Sequence, residues 1–210
     1  MALPTRPTLR VERALHRETG ARIAGVDEAG RGAWAGPVSA GAVILPLGPV
    51  TTRHLRGVTD SKQLTAAARA HYAGVIRAEA VAWAVGFAEA DEIDALGILP
   101  ATRLAMRRAI AALHPAAGAL VIDAVHLTEL DLPQRVFNFA DAISLSVAAA
   151  SILAKTARDA RLTALDADFP GFGFAAHKGY GVAAHAAALA RLGPCPEHRR
   201  SFKPVAATLR

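Results

Sequence analysis

The chain has 210 residues, enough for one domain of ordinary size with a real core. Hydrophobic residues make up 52%, but 50 residues are alanine and aromatics are only 5%, so the core is padded with small side chains. Lys and Arg number 24 against 18 Asp and Glu, a net charge of +6 that favours a polyanionic partner. The single Cys195 excludes a disulfide framework and, with scattered histidines, the usual structural zinc spacings.

Residues 1–20 read as a polar lead-in with a short helix over 11–18. The opening MALPTRPTLRVER has two prolines and no apolar run, so it is not a secretory signal. Residues 21–27 (ARIAGVD) read as a buried strand closing on Asp27 and Glu28, followed by the glycine-bearing turn AGRGAWAG. The longest uncharged stretch, 32–52, raises the membrane question. Its Pro37, Pro46 and Pro49, with Gly36, Gly41 and Gly48, make it turn, strand, turn instead, the strand over 37–45. A soluble, cytoplasmic protein is expected.

Thr65 can cap a helix running to about residue 80, and 81–88 reads as a third strand. A short acidic helix (EADEIDAL) and a longer one over 98–113 follow, then an apolar strand over 119–123 that again stops on an acid. A strand over 136–139, a long alanine-rich helix over 142–166 and a last helix over 181–192 precede a basic tail, EHRRSFKP. Single strands between helices predict a mixed α/β sheet. DFPGFGF, residues 168–174, is the expected boundary between the strand-bearing body and a helical C-terminal appendage.

Ligands of open α/β sheets sit beyond the carboxyl ends of strands. Two strand ends carry Asp27, Glu28 and Asp123, and Asp141 precedes the long helix, where it can equally be a helix cap. Were the four to converge, they could not all remain ionised without a counter-ion. An all-oxygen set suits Mg2+ or Mn2+, and two ions about 3.5–4 Å apart would clamp a phosphodiester. Neighbours on a strand face opposite ways, so Asp27 and Glu28 share a site only near the strand's end.

Gly30-Arg31-Gly32 is either a tight connection or a close backbone approach with Arg31 reaching a phosphate. Tyr180, between Gly179 and Gly181, is a packed aromatic or a platform with a polar tip for sugar and base. HRRSFK reads as a solvated basic tail. Of the positive residues 20 are Arg, leaving Lys62, Lys155, Lys178 and Lys203 as scarce point charges.

GVDEAGRG (25–32), AGPV (35–38), DSKQLT (60–65), VID (121–123), AAASILAK (148–155), HKGYG (177–181) and EHRRSFKPV (197–205) together resemble ribonuclease HII, the type 2 ribonuclease H family. The match is collinear over most of the chain, and all four lysines fall within it. The resemblance implies a ribonuclease H-like α/β fold, a mixed sheet of about five strands flanked by helices. It implies a catalytic domain over 21–167 and a helical substrate-binding region over 168–210.

By the same resemblance the chain would be a metal-dependent endoribonuclease. Its substrates would be RNA–DNA hybrids and duplex DNA holding single ribonucleotides, cut on the 5′ side to leave 5′-phosphate and 3′-OH ends. Two Mg2+ or Mn2+ ions would sit on Asp27, Glu28, Asp123 and Asp141. Gly30, Arg31 and Gly32 match the junction-sensing motif, and Tyr180 the tyrosine that senses the 2′-OH. Ser61 and Lys62 match a phosphate-contacting segment, and Lys178 joins them by position. A monomer that meets no membrane is expected.

This chain departs from the family pattern in three places. Ala33-Trp34 replace a proline and a small or aliphatic residue. Ala124 replaces the glycine after the third acid. Phe139-Ala140 replace a Lys-Gly-type pair before the fourth. Ribonuclease HIII resembles the family but adds an N-terminal domain, for which the 24 residues before GVDEAG are too few. A silent nucleic-acid-binding protein is the alternative of a different class.

Overall fold

The computed structural model describes residues 6–209; the first five residues of the expected lead-in lie outside them. In chain order these residues form α1 (Arg10–Thr19), β1 (Ile23–Ala29), β2 (Val38–Ile44), α2 (Pro49–His54), α3 (Ala66–Glu79), β3 (Ala82–Ala88) and α4 (Ala90–Leu96). There follow α5 (Ile98–Ala111), β4 (Ala119–Asp123), β5 (Gln134–Phe137), α6 (Leu145–Asp168), α7 (Phe174–His177), α8 (Ala183–Leu192) and α9 (Lys203–Ala206). Short 3-10 turns occupy Ser61–Gln63 and Ala140–Ala142.

The strands make one mixed five-stranded sheet, as expected, in the order β3-β2-β1-β4-β5. β1 pairs antiparallel with β2 and parallel with β4, which pairs parallel with β5. Alternate residues of β1 feed opposite faces: Ala24 and Val26 pack with Met106 and Ala109 of α5, Ile23 with Val147 of α6. Alanines bring the helices close. Ala148, Ala149 and Ala150 of α6 are fully buried, and the Ala150 carbonyl lies 2.3 Å from where a Cβ on Gly41 would stand. A methyl contributes only about 0.8 kcal/mol, so close approach does the work that bulk does in other cores.

Several local expectations meet their residues. The Thr65 hydroxyl accepts from the Ala68 N–H at 3.2 Å and starts α3. Others are corrected. Asp141 is not the cap of α6; Ser144 is, its hydroxyl accepting from the Val147 N–H. The expected strand over 136–139 ends at Phe137, because Phe139 turns left-handed (φ 60°). α8 is not the last helix: α9 follows it, and α2 and α7 are likewise additional. Such short segments are helical through packing rather than periodicity.

The basic tail is solvated only in part, at Arg200 and Lys203. His198 and Arg199 are buried, His198 bridges to Ala35, and Arg199 N–H donates to the Trp34 carbonyl at 2.8 Å. Asp94 accepts from the backbone of Arg200 and Ser201, so residues 195–202 are fastened to the body at both ends. No described helix is long and apolar enough to cross a membrane.

Candidate active site

Asp27 and Glu28 lie two residues and one residue short of the end of β1. The parallel register matches Val26 with Ile122, which sets Asp27 beside Asp123 at the end of β4. Asp141 enters from the Ala140–Ala142 turn, and the Ala140 N–H donates to Asp123 Oδ1 at 2.7 Å, drawing that turn onto the strand end. Asp27 Oδ1 accepts from the Glu28 N–H at 2.7 Å, and Glu28 Oε1 meets Arg31 Nη1 at 3.2 Å.

The four carboxylates feel one another. Burial first, then the charges of Glu28, Asp123 and Asp141, hold the Asp27 carboxyl well above the usual range. Burial also raises Glu28, against the pull of Arg31. Asp141 is pushed up to about 6 by burial, then by Asp60 and Asp123, with Lys62 opposing. Lys62 is exposed; partial burial works against its charge, but Asp60, Asp27, Asp141 and Asp123 together raise its pKa.

Asp60 is a fifth acid of this field that sequence reasoning passed over. Its carboxylate accepts from the Lys62 N–H at 2.9 Å and so starts the turn that presents Lys62. Its signal was its place in DSKQLT, directly before the residues singled out there.

The donor set suits a hard divalent cation: all oxygen, mutually repelling, with Glu28 Oε2 buried and without a hydrogen-bond partner. Among the described residues, no three His, Cys, Asp or Glu side chains are drawn tightly enough to enclose an ion by themselves. The residues fit a cation that takes its remaining ligands from water and substrate.

The other singled-out residues divide. Gly30 sits at φ 96° with the Arg158 side chain 2.0 Å from where a Cβ would be, so only glycine fits; Arg31 and Gly32 beyond it are exposed. Ser61 is buried, its hydroxyl 2.9 Å from that of Ser151. Tyr180 lies on an open cleft of about 520 Å3 lined also by Arg69, Lys155 and Lys178. Lys155 Nζ and the Arg158 guanidinium stand 5.2 and 5.3 Å from its ring centre. Lys178 turns its ammonium inward, to Thr163 Oγ1 and the Ala175 carbonyl.

The departures have local consequences. Ala124 and Phe139, next to two of the acids, both take left-handed backbone, and Phe139 is 68% exposed. Trp34 instead packs inward, its ring 5.4 Å from that of His185.

The family model described as Ribonuclease HII matches residues 24–205. The chain belongs to that family. The ribonuclease HII of Chloroflexus aurantiacus is 53% identical over 202 residues, 95% of this chain and 94% of that one. Among solved structures, the ribonuclease H2 of Pyrococcus horikoshii superposes with a TM-score of 0.74 at 25% identity, covering 89% of this chain and 96% of that one. The ribonuclease HII of Archaeoglobus fulgidus, solved in a complex with PCNA, superposes with 0.73 at 27% identity, covering 87% and 95%. Membership in the ribonuclease HII family makes the chain a metal-dependent endoribonuclease with ribonuclease H activity, and decides against both the type HIII and the silent-binder readings.

Proposed function

We propose that the chain cuts duplex DNA on the 5′ side of single embedded ribonucleotides, as well as the RNA strand of hybrids, leaving 5′-phosphate and 3′-OH ends. The observation that carries this reading is the gathering of Asp27, Glu28, Asp123 and Asp141 at adjacent strand ends, with Asp27 driven far above its ordinary pKa. These four would hold Mg2+ or Mn2+, two ions during the reaction. When bound, the ions supply neutralisation of the phosphodiester and acidification of the attacking water.

The remaining work falls to the chain's own residues. Arg31 and Lys62, exposed at the rim, hold the phosphate backbone; Lys178 and the buried Ser61 shape the floor beneath it. The exposed turn at Gly32 allows the backbone to approach the ribose closely. Tyr180 offers a hydroxyl to the 2′-OH, the only group that tells RNA from DNA at that point. Residues 168–210 form the substrate-binding region that carries it. The protein works as a monomer in the cytoplasm.

The test is cleavage of three duplexes, with one ribonucleotide, a full RNA strand or DNA alone, with and without Mg2+ or Mn2+. Metal-dependent cuts 5′ of the ribonucleotide and in the hybrid, with DNA intact, are expected. Equal cutting of plain DNA would refute the sugar-sensing reading. Tyr180→Ala is expected to impair cleavage at the isolated ribonucleotide while cleavage of the full hybrid suffers less.

A further inference from the structure

Beneath Tyr180 three imidazoles form a polar cluster that the reaction does not use. His185 and His198 are buried, and His177 stacks on His185 with ring centres 4.4 Å apart. Every ring nitrogen has a partner. His177 Nε2 lies 2.8 Å from the Phe172 carbonyl and its Nδ1 3.2 Å from the Gly179 N–H. His185 Nδ1 lies 3.0 Å from the Tyr180 carbonyl, and its Nε2 3.0 Å from His198 Nε2. His198 Nδ1 accepts the Cys195 N–H at 3.1 Å, with the Cys195 thiol also at 3.1 Å.

These partners assign the protons. A carbonyl only accepts and a backbone N–H only donates. His185 therefore carries its proton on Nδ1 and His198 on Nε2, which donates to His185 Nε2; His177 carries its proton on Nε2. The three rings are neutral, since a second proton on any would set N–H against N–H. Burial lowers the pKa of His185 and holds His198 at about 4, in agreement.

The relay ends on the Tyr180 main chain. The Tyr180 N–H donates to the His177 carbonyl, its own carbonyl accepts from His185, and the preceding Gly179 carbonyl accepts from Trp34 and Ala35. We propose that His177, His185 and His198 are positioning residues that hold Tyr180 in register with the ribose, fixing the selectivity of cleavage from the C-terminal segment 195–198. A single hydroxyl can be discriminated only by a partner held within a few tenths of an ångström. The inference rests on the sugar-sensing role of Tyr180.

Two experiments test it. Nitrogen-resolved NMR of the histidine rings at neutral pH is expected to find three neutral rings, His185 protonated on Nδ1 and the other two on Nε2. A charged ring, or His185 protonated on Nε2, overturns the relay without any activity being read. In cleavage of the single-ribonucleotide duplex, His185→Leu is expected to lower kcat roughly tenfold with KM within about twofold. His185→Asn, whose amide can still donate to the Tyr180 carbonyl, restores most of that loss. In a Tyr180→Ala background, His185→Leu adds less than about twofold. Unimpaired Tyr180→Ala sinks the sugar-sensing role itself. Impaired Tyr180→Ala with unimpaired His185→Leu, or with additive losses, sinks the relay alone. Should His185→Leu fail to fold, the ring tautomers decide.

Discussion

The acidic strand ends and the histidine–arginine cluster under residues 30–37 are both buried and polar, yet they are built in opposite ways. The acids are under-compensated: four carboxylates face one another with Arg31 as their one directly bonded cation, and Glu28 Oε2 has no hydrogen-bond partner. The second cluster is nearly saturated. Arg158 gives Nε to the Pro37 carbonyl, Nη1 to that of Lys178 and Nη2 to that of Ala35. Arg199 gives Nε to Gly36 and Nη1 to Arg31, and the three imidazoles close their own circuit. Unmet charge marks the place where something from outside must bind; satisfied charge marks the frame that holds the binding surface still. Neither guanidinium has a carboxylate partner among its hydrogen bonds, and burial lowers both pKa values, Arg199 to about 9. Carbonyl oxygens accept all their hydrogen bonds, with the rings of Tyr180 and Phe202 5.3 and 5.2 Å away, so losing these cations should loosen the glycine turn.

The sharpest break of this contrast is Asp27→Asn. It is expected to abolish cleavage, by about a thousandfold or more, in the assay with one embedded ribonucleotide. The same variant should raise the melting temperature of the metal-free protein at neutral pH. The folded-state pKa of Asp27 lies above its unfolded value, so rising pH strips a proton that the fold prefers to keep, and the charge destabilises. A lower melting temperature would show that the carboxylate is satisfied internally.

Arg158→Met should act in reverse, lowering stability by on the order of 3 kcal/mol in a denaturant titration, because three carbonyls lose a charged donor. An unchanged midpoint would show that the cluster is not a frame.

An effect of at most similar size separates the two regions by pH. The His198 pKa of about 4 lies below its unfolded value near 6.5, so the unfolded chain takes up the proton first as pH falls. Its contribution is full above about 6.5 and is lost between there and about 4, up to ~3 kcal/mol. Thermal melts of His198→Gln against the parent over that window should show a flatter acid limb, the other two imidazoles and Cys195 being its neighbours in either protein.

The smallest expected change is Ala124→Gly. Ala124 holds φ 53° beside Asp123, and glycine should recover about 1 kcal/mol in the same denaturant titration. No gain would mean that the strand end relaxes without cost.

Much of this was legible in particular residues. Thr65 announced α3, and Asp123 at the end of an apolar run announced β4 and one corner of the site. Asp141 was legible as an acid before a helix but not as a member of a 3-10 turn, because Ser144 three residues on caps just as well. Within HRRSFK, Arg200 and Lys203 are solvated as expected but Arg199 is not, since nothing local tells a free arginine from one whose acceptors lie over 160 residues away; Arg199 reaches Gly36 at a separation of 163. The three histidines escaped for the same reason.

The sequence by itself determined the longer helices, the mixed sheet and, through its ordered motifs, the family. These rest on short-range patterns of apolar residues, caps and glycines that each segment carries alone. Only the tertiary structure decided which charges are unmet and which are tied down. That Asp27 is pushed up and His198 pushed down depends on burial and on partners from distant segments, and neither property belongs to a residue until the chain has closed around it.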